Sequence, residues 1–234
     1  METELKTGST ILSDLLAKLD VDAVGVASLA DWKGTRLEDI ALKLLPQARS
    51  VVVLAHEICQ EVLDLVSLEK MMGTASLSDF YASDSDYICG RLTKAAYDIA
   101  KVSRKSGLKA LPLPAKGCPT DRRFLEAVFS YKHAGQAAGL GSFGKSSLII
   151  TPDFGPRVRL SCCLTEVELE PTNGSAAYAC ARCTICIDNC PAGALSEPQA
   201  DEPYALNKFA CSSFVNASGG CSECLRLCPA GKRG

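Results

Sequence analysis

The chain has 234 residues, of which 47% are hydrophobic, and a formal net charge of −2. That length can bury a sizeable core, and that charge gives no reason to expect nucleic acid or an acidic membrane as an obligatory partner. No apolar run approaches the ~18–20 residues of a membrane span, and the first residues (METELK) lack the basic-then-apolar order of a secretory signal, so a cytoplasmic protein is expected.

Ile11, Leu12, Leu15, Leu16 and Leu19 share one face of a predicted helix over residues 10–19, with Ser9 or Thr10 as its cap. Ala23–Ser28 reads as a short buried strand, and a helix over Arg36–Leu45 stops before Pro46. Ser50–Ala55 (SVVVLA) is a β-branched run of buried type, and His56 at its end reads as structural. Residues 57–72 are expected to be helical and residues 73–83 a polar loop. The longest helix is expected over Asp84–Ser106, with Gly107 as its stop. Ala110–Pro114 reads as an edge strand, because its two prolines cannot donate to a ladder. Another helix is expected over Asp121–Ala134, followed by a glycine-rich loop to Gly144. Beyond it Ser147–Thr151 and Arg157–Thr165 read as strands. In the second, Val158, Leu160, Cys162 and Leu164 alternate with Arg157, Arg159, Ser161 and Cys163. Residues 171–175 (PTNGS) form the best linker. The expected fold class is α+β: an α/β domain over residues 1–170 and a small metal-held module over 171–234.

The module carries the strongest chemical signal. Cys180, Cys183, Cys186 and Cys190-Pro191 fit C-x2-C-x2-C-x3-C-P, the bacterial ferredoxin spacing for 4Fe–4S clusters. Cys221, Cys224 and Cys228-Pro229 repeat it with the first ligand displaced, since the regular position holds Ser218 and the nearest candidate is Cys211. In the ferredoxin pattern three ligands come from one run and the fourth from the other. This pairs Cys180, Cys183, Cys186 and Cys228 around one cluster, and Cys190, Cys211, Cys221 and Cys224 around a second. Paired C-x2-C units also bind zinc, but the triplet suits a cubane better. Thirteen cysteines in a reducing compartment point to metal rather than disulfides. Cys59, Cys89, Cys118, Cys162 and Cys163 lie outside the motifs, and most of them read as small core residues.

The run Gly139, Leu140, Gly141, Ser142, Phe143, Gly144, Lys145 and Ser146 matches both G-x-G-x-x-G and G-x-x-x-x-G-K-[ST]. Both phosphate motifs need a strand before the glycines and a helix after them. Here a helical pattern precedes and a strand pattern follows, so neither is adopted. Two readings stay open: a tight turn of positive-φ glycines, or bare backbone that lets a large cofactor approach, with Lys145 and Ser146 as donors.

Loop and cysteine runs together resemble the epoxyqueuosine reductase superfamily, which includes the reductive dehalogenases. The resemblance is carried by residues 138–160 (AGLGSFGKSSLIITPDFGPRVRL), Leu164-Thr165, the cysteine runs with displaced Cys211, and upstream Gly25-Val26-Ala27 and Leu45–Val52. It implies a nitroreductase-like α/β domain joined to a two-cluster ferredoxin-like module, with cobalamin held between them. It further implies that residues 139–146 lie against the cobalamin, and that the nearer cluster reduces its cobalt. Reduced ferredoxin or flavodoxin is then the expected electron donor, and a homodimer is left open.

The chain departs from epoxyqueuosine reductases in two ways. Their proton-donating aspartate, fourteen residues before the Gly-Leu-Gly, falls here on Leu125. Asp121 is the weak alternative, and Tyr131, Lys132 and His133 are the nearer candidates for proton donor or polar anchor, against a solvated helix face. The helical-repeat extension that helps hold tRNA has no counterpart after Cys228. Both points make nucleic acid an unexpected substrate and leave a small molecule or a corrinoid. The expected function is a cobalamin-dependent iron–sulfur reductase. The alternatives are an electron-transfer or corrinoid-handling protein without its own organic substrate, and a plain ferredoxin-like carrier.

Overall fold

The computed structural model describes residues 2–67, 71–72, 75–172, 174, 180 and 182–231. Residues 68–70 and 73–74 of the expected helix and loop, and 173 and 175 of the expected linker, lie outside the described residues.

The chain is a mixed α/β protein. Helix α1 (Glu2–Leu16) precedes strand β1 (Ala23–Ser28), a 3-10 turn (Leu29–Trp32), α2 (Arg36–Leu44), β2 (Ser50–Glu57) and α3 (Gln60–Leu65). A small hairpin, β3 (Met71–Met72) and β4 (Ala75–Ser76), leads to α4 (Ser78–Lys105), β5 (Ala110–Leu113), β6 (Thr120–Asp121), β7 (Glu126–Ala127) and α5 (Tyr131–Ala137). Then follow β8 (Ser142–Phe143), β9 (Ile149–Ile150), β10 (Val158–Thr165), α6 (Ile185–Asp188), β11 (Leu195–Ser196), β12 (Ala205–Leu206), α7 (Lys208–Ser218) and α8 (Glu223–Arg226). Among the described residues no helix is long and apolar enough to cross a membrane.

Two compact units are present. The first comprises Met1–His56, Ile88–Leu140 and Arg159–Ser175; the second comprises Glu57–Tyr87, Gly141–Val158 and Ala176–Gly234. The first is built on a four-stranded sheet in the order β1-β2-β10-β5. β1 and β2 pair antiparallel from Ala23↔Ala55 to Ser28↔Ser50, and β10 and β5 from Cys162↔Leu113 to Thr165↔Ala110. Arg49 N donates to Thr165 O and Ile58 N to Arg157 O, both at 2.8 Å, so β2 and β10 also run antiparallel. Val51, Val52, Val53 and Leu54 are fully buried, each such side chain contributing about 1.5–3 kcal/mol over an exposed one. The sheet strands follow the expected pattern, but β10 is buried on both faces from Ser161 to Thr165. A central strand between β2 and β5 that is covered on both sides has no solvent face for its alternate residues.

Two expected helices are corrected. Over 57–72 the strand β2 runs on to Glu57, and among the described residues only Gln60–Leu65 is helical. Over Asp121–Ala134 the chain forms the hairpin β6–β7 and does not enter a helix until Tyr131. The Asp121 carboxylate accepts from Arg123 N at 3.0 Å, and Leu125 takes a left-handed φ of 49°. A side chain bonding its own downstream backbone offers a turn in competition with a helix. The helix begins where Ser130 caps His133 N.

Candidate metal centres

All eight motif cysteines lie in the second unit, each half-buried and none in a disulfide. Their mutual influence sorts them. Burial first, and then Cys180, Cys183 and Cys228, push the Cys186 thiol up to about 11. The Cys228 thiol is raised by burial and by Cys180 and Cys183. Cys221 is raised by burial, with smaller contributions from Glu223, Cys211 and Cys190. Cys224 is pushed up to about 12 by burial and then by Cys221 and Cys211, with lesser contributions from Cys186 and Cys190. Cys186 thus stands in the company of Cys180, Cys183 and Cys228, and Cys224 in that of Cys221, Cys211, Cys186 and Cys190.

The displaced cysteine has a physical explanation. Helix α7 fills the place of a tight loop, and Asn207 caps it by accepting from Ala210 N at 3.0 Å. Cys211 stands near its start, beside Asn207 O. Ser218 ends the same helix, its hydroxyl 2.8 Å from both Phe214 O and Gly220 O. That serine serves the helix end, and the cysteine comes from the helix start.

Among the described residues, no three His, Cys, Asp or Glu side chains gather around a single-ion position. Two polar groups lie at these cysteines. Ala194 N donates to Cys190 Sγ at 3.3 Å. Ser222 Oγ, in a residue 2% exposed between Cys221 and Cys224, has no partner among the described atoms.

Sequence reasoning missed Arg157, placed there merely opposite the apolar residues of its strand. It is 2% exposed. Its Nη1 donates to Cys228 O at 3.1 Å and its Nη2 to Ala230 O at 2.5 Å. The available signal was a charged residue opening a strand directly after Phe154-Gly155-Pro156.

In the Gly139–Ser146 run a helix, α5, precedes the glycines and the hairpin β8–β9 follows, the order opposite to a phosphate loop. The absent side chains are explained by the chain itself. A Cβ on Gly139, whose φ is 71°, would strike Gly174 O, and one on Gly141 would strike Ile150 O. A Cβ on Gly144 would come 2.8 Å from Ile150 and 3.3 Å from Cys180 Sγ. Close approach is therefore the reason for these glycines, and what approaches is protein. Leu140 and Ser146 are buried, Ser142 and Phe143 partly so, and Phe143 packs against Tyr204 with ring centroids 5.1 Å apart. Lys145 Nζ bonds both oxygens of Glu197 at 3.0 and 2.9 Å. That contact, with Cys180 and Cys183 adding to it, raises the Lys145 pKa. Residues 141–146 thus stand beside the first quartet.

In the first unit Tyr131 donates its phenol proton to Pro114 O at 2.7 Å. Burial first, then Cys118, hold its pKa far above the ordinary phenol range. His133 Nδ1 lies 2.7 Å from Ser130 Oγ. Partial desolvation of its ring, then neighbouring Lys132, lowers its pKa. Asp121 is held below the usual carboxylate range by Arg123, which makes it an acceptor rather than a proton donor. Leu125 occupies the turn of hairpin β6–β7.

No family model matches the chain. It is 34% identical over 157 residues to the tetrachloroethene reductive dehalogenase of Desulfitobacterium hafniense, covering 58% of this chain and 26% of that protein. It is 32% identical over 113 residues to the epoxyqueuosine reductase of Bacillus subtilis, covering 42% and 28%. The matches thus take in under a third of these curated relatives. A solved catabolic reductive dehalogenase matches 95% of this chain and 31% of its own, with a TM-score of 0.72 at 17% identity. The solved Bacillus subtilis epoxyqueuosine reductase matches 97% and 66%, with a TM-score of 0.65 at 20% identity. At such identities these structures establish the fold alone. One epoxyqueuosine reductase of this fold was solved with a tRNA stem loop, at a TM-score of 0.58. With an epoxyqueuosine reductase also among the curated relatives, the expectation that nucleic acid is an unlikely partner is not retained.

Proposed function

Because the chain belongs to the superfamily that contains the reductive dehalogenases and the epoxyqueuosine reductases, we propose that it is an iron–sulfur reductase with two 4Fe–4S clusters and a cobalamin. Cys180, Cys183, Cys186 and Cys228 hold the first cluster, and Cys190, Cys211, Cys221 and Cys224 the second. Residues 171–234 act as a ferredoxin-like module, and residues 1–170 as a nitroreductase-like, cobalamin-binding domain. When bound, these groups supply the one-electron and reductive chemistry, while the protein supplies binding, orientation and electrostatics.

The observation that supports this reading is the gathering of eight half-buried thiols in one unit, with Cys186 raised by Cys180, Cys183 and Cys228 after burial, and Cys224 by Cys221 and Cys211. Ligation needs thiolates, so loading releases protons, and Arg157 beside Cys228 favours the charged form there. The cobalamin rests on the relatives, one of which is described in terms of B12-dependent dehalogenation. The glycines of residues 139–146 do not by themselves argue for it, being filled by protein. A cobalamin-facing role for that run, and proton delivery by Tyr131, Lys132 and His133, stay within the proposal as testable assignments. The substrate is a small organic molecule or a modified base in tRNA, and the electron donor a reduced ferredoxin or flavodoxin.

The test is anaerobic reconstitution with iron, sulfide and hydroxocobalamin. About eight iron and eight sulfide per chain are expected, together with a cobalamin spectrum altered by the protein and turnover of an organohalide or of epoxyqueuosine-tRNA. Tetrahedral zinc or fewer than about eight iron would refute the cluster assignment. Leu125, a residue that cannot donate a proton, in the hairpin turn favours a second reading, corrinoid reduction for another enzyme. Cobalamin reduced without turnover of either substrate would establish that one, and clusters without cobalamin affinity would leave a ferredoxin-like carrier.

A further inference from the structure

On the two-cluster reading above, the quartets stand in unlike electrostatic settings. Arg157 heads the fully buried side chains by volume. Its hydrogen bonds run to the carbonyl oxygens of Cys228, Ala230 and, at 3.5 Å, Leu225. Carbonyls satisfy the donors of the guanidinium without neutralising it, so a full positive charge lies in the loop that carries Cys228. Burying such a charge is costly unless an anion lies nearby. Burial lowers the Arg157 pKa, and Cys228, Glu57 and Asp64 counter it. Lys145, also beside this quartet, is matched by Glu197 at 2.9 Å. At the second quartet the charged pair is Glu223 with Arg226, 2.6 Å apart, which is self-compensated. The Ala194 N–H on Cys190 Sγ is a neutral donor.

We propose that Arg157 is a positioning residue of the first quartet, fixing the loop of Cys228 and, through its buried charge, setting the reduction potential of the first cluster above that of the second. The sign follows from charge. A reduced cluster carries one more negative charge than an oxidised one, so a fixed cation stabilises the reduced form. With both clusters bound, the one held by Cys180, Cys183, Cys186 and Cys228 would then be the more readily reduced.

The test is a redox titration followed by electron paramagnetic resonance, with iron and sulfide counted, on reconstituted wild type, Arg157→Met, Arg157→Lys and Glu57→Gln. Two potentials are expected in the wild type. In Arg157→Met the higher one falls, with about a tenfold loss in the reduced-to-oxidised ratio at fixed applied potential, about 59 mV for a one-electron couple. The lower one stays put. Arg157→Lys restores most of the shift, because it keeps the charge and loses the fork. Glu57→Gln, which leaves the fork intact and removes an opposing charge, raises the higher potential. Should Arg157→Met lose its iron, Glu57→Gln decides. Potentials that stay fixed, or that move together, overturn the inference and leave the two clusters standing. A wild type that assembles no clusters overturns both.

Discussion

Cys162 and Cys163 on β10 and the eight cysteines between 180 and 228 are one residue type in two settings. The first pair is fully buried in the sheet of the first unit. Burial is the first cause of both raised thiol pKa values there, and such cysteines behave as small apolar fillers. The eight are half-buried, and after burial the next causes at Cys186 and Cys224 are other cysteines. A raised thiol pKa is common to both settings, and so are neighbouring thiols, since Cys163 and Cys118 add to burial at Cys162; neither identifies a ligand set. What separates the eight is their C-x2-C spacing and their partial exposure.

Several substitutions put this contrast at risk. The largest effect is expected for Cys183→Ser, which should lose about four of eight iron per chain. Cys163→Ala should keep all of them and cost about 1–2 kcal/mol of stability, read by metal analysis and chemical unfolding. Equal iron loss in both would erase the distinction. Next comes Gly155→Ala. Gly155 sits at a φ of 58° with Ala230 O where a Cβ would go, so about 1–3 kcal/mol should be lost, together with iron retention in the quartet that includes Cys228.

The pH dependence of the metal-free protein is a smaller effect. Cys186 and Cys224 sit near 11 and 12 against an ordinary 9.0. The folded protein therefore holds these protons more tightly than the unfolded chain. Their contribution to stability is intact below pH 9 and is lost as pH rises through 11 to 12. The loaded protein, whose thiolates are already ligated, should lack this part of the loss, as paired melts would show. The smallest effect is expected for Leu125→Gly, which relieves a left-handed residue in the first unit. It should raise stability by about 1 kcal/mol without changing metal content.

Much of this was legible in the sequence where a single physical rule acts alone. The valines of β2 are such a local pattern, and they form the buried strand as read. Asp121–Ala134 carried a helical pattern that failed, because Asp121 bonds the backbone two residues on and Leu125 turns left-handed. Arg157 was invisible for another reason. Strand alternation assigns a face but does not say what covers it, and here three carbonyl oxygens more than sixty residues away receive the guanidinium. The glycines of 139–144 were legible as close approach, but the approaching group was not, since it depends on Gly174 and Ile150.

The interleaving of the two units bears on how this protein is made. The chain passes from one unit to the other after His56, Tyr87, Leu140, Val158 and Ser175. During synthesis the four-stranded sheet must wait for β10, and the second unit for its third segment, so neither is finished when the first hundred residues emerge. Domains generally fold as units while the chain is being made, and here the last segment of one unit is followed directly by the last segment of the other. Iron delivered early would meet Cys180, Cys183 and Cys186 before Cys228 exists. On the proposed ligand assignment the first quartet is therefore completed only when Cys228 follows, and three thiols must stay reduced until it does.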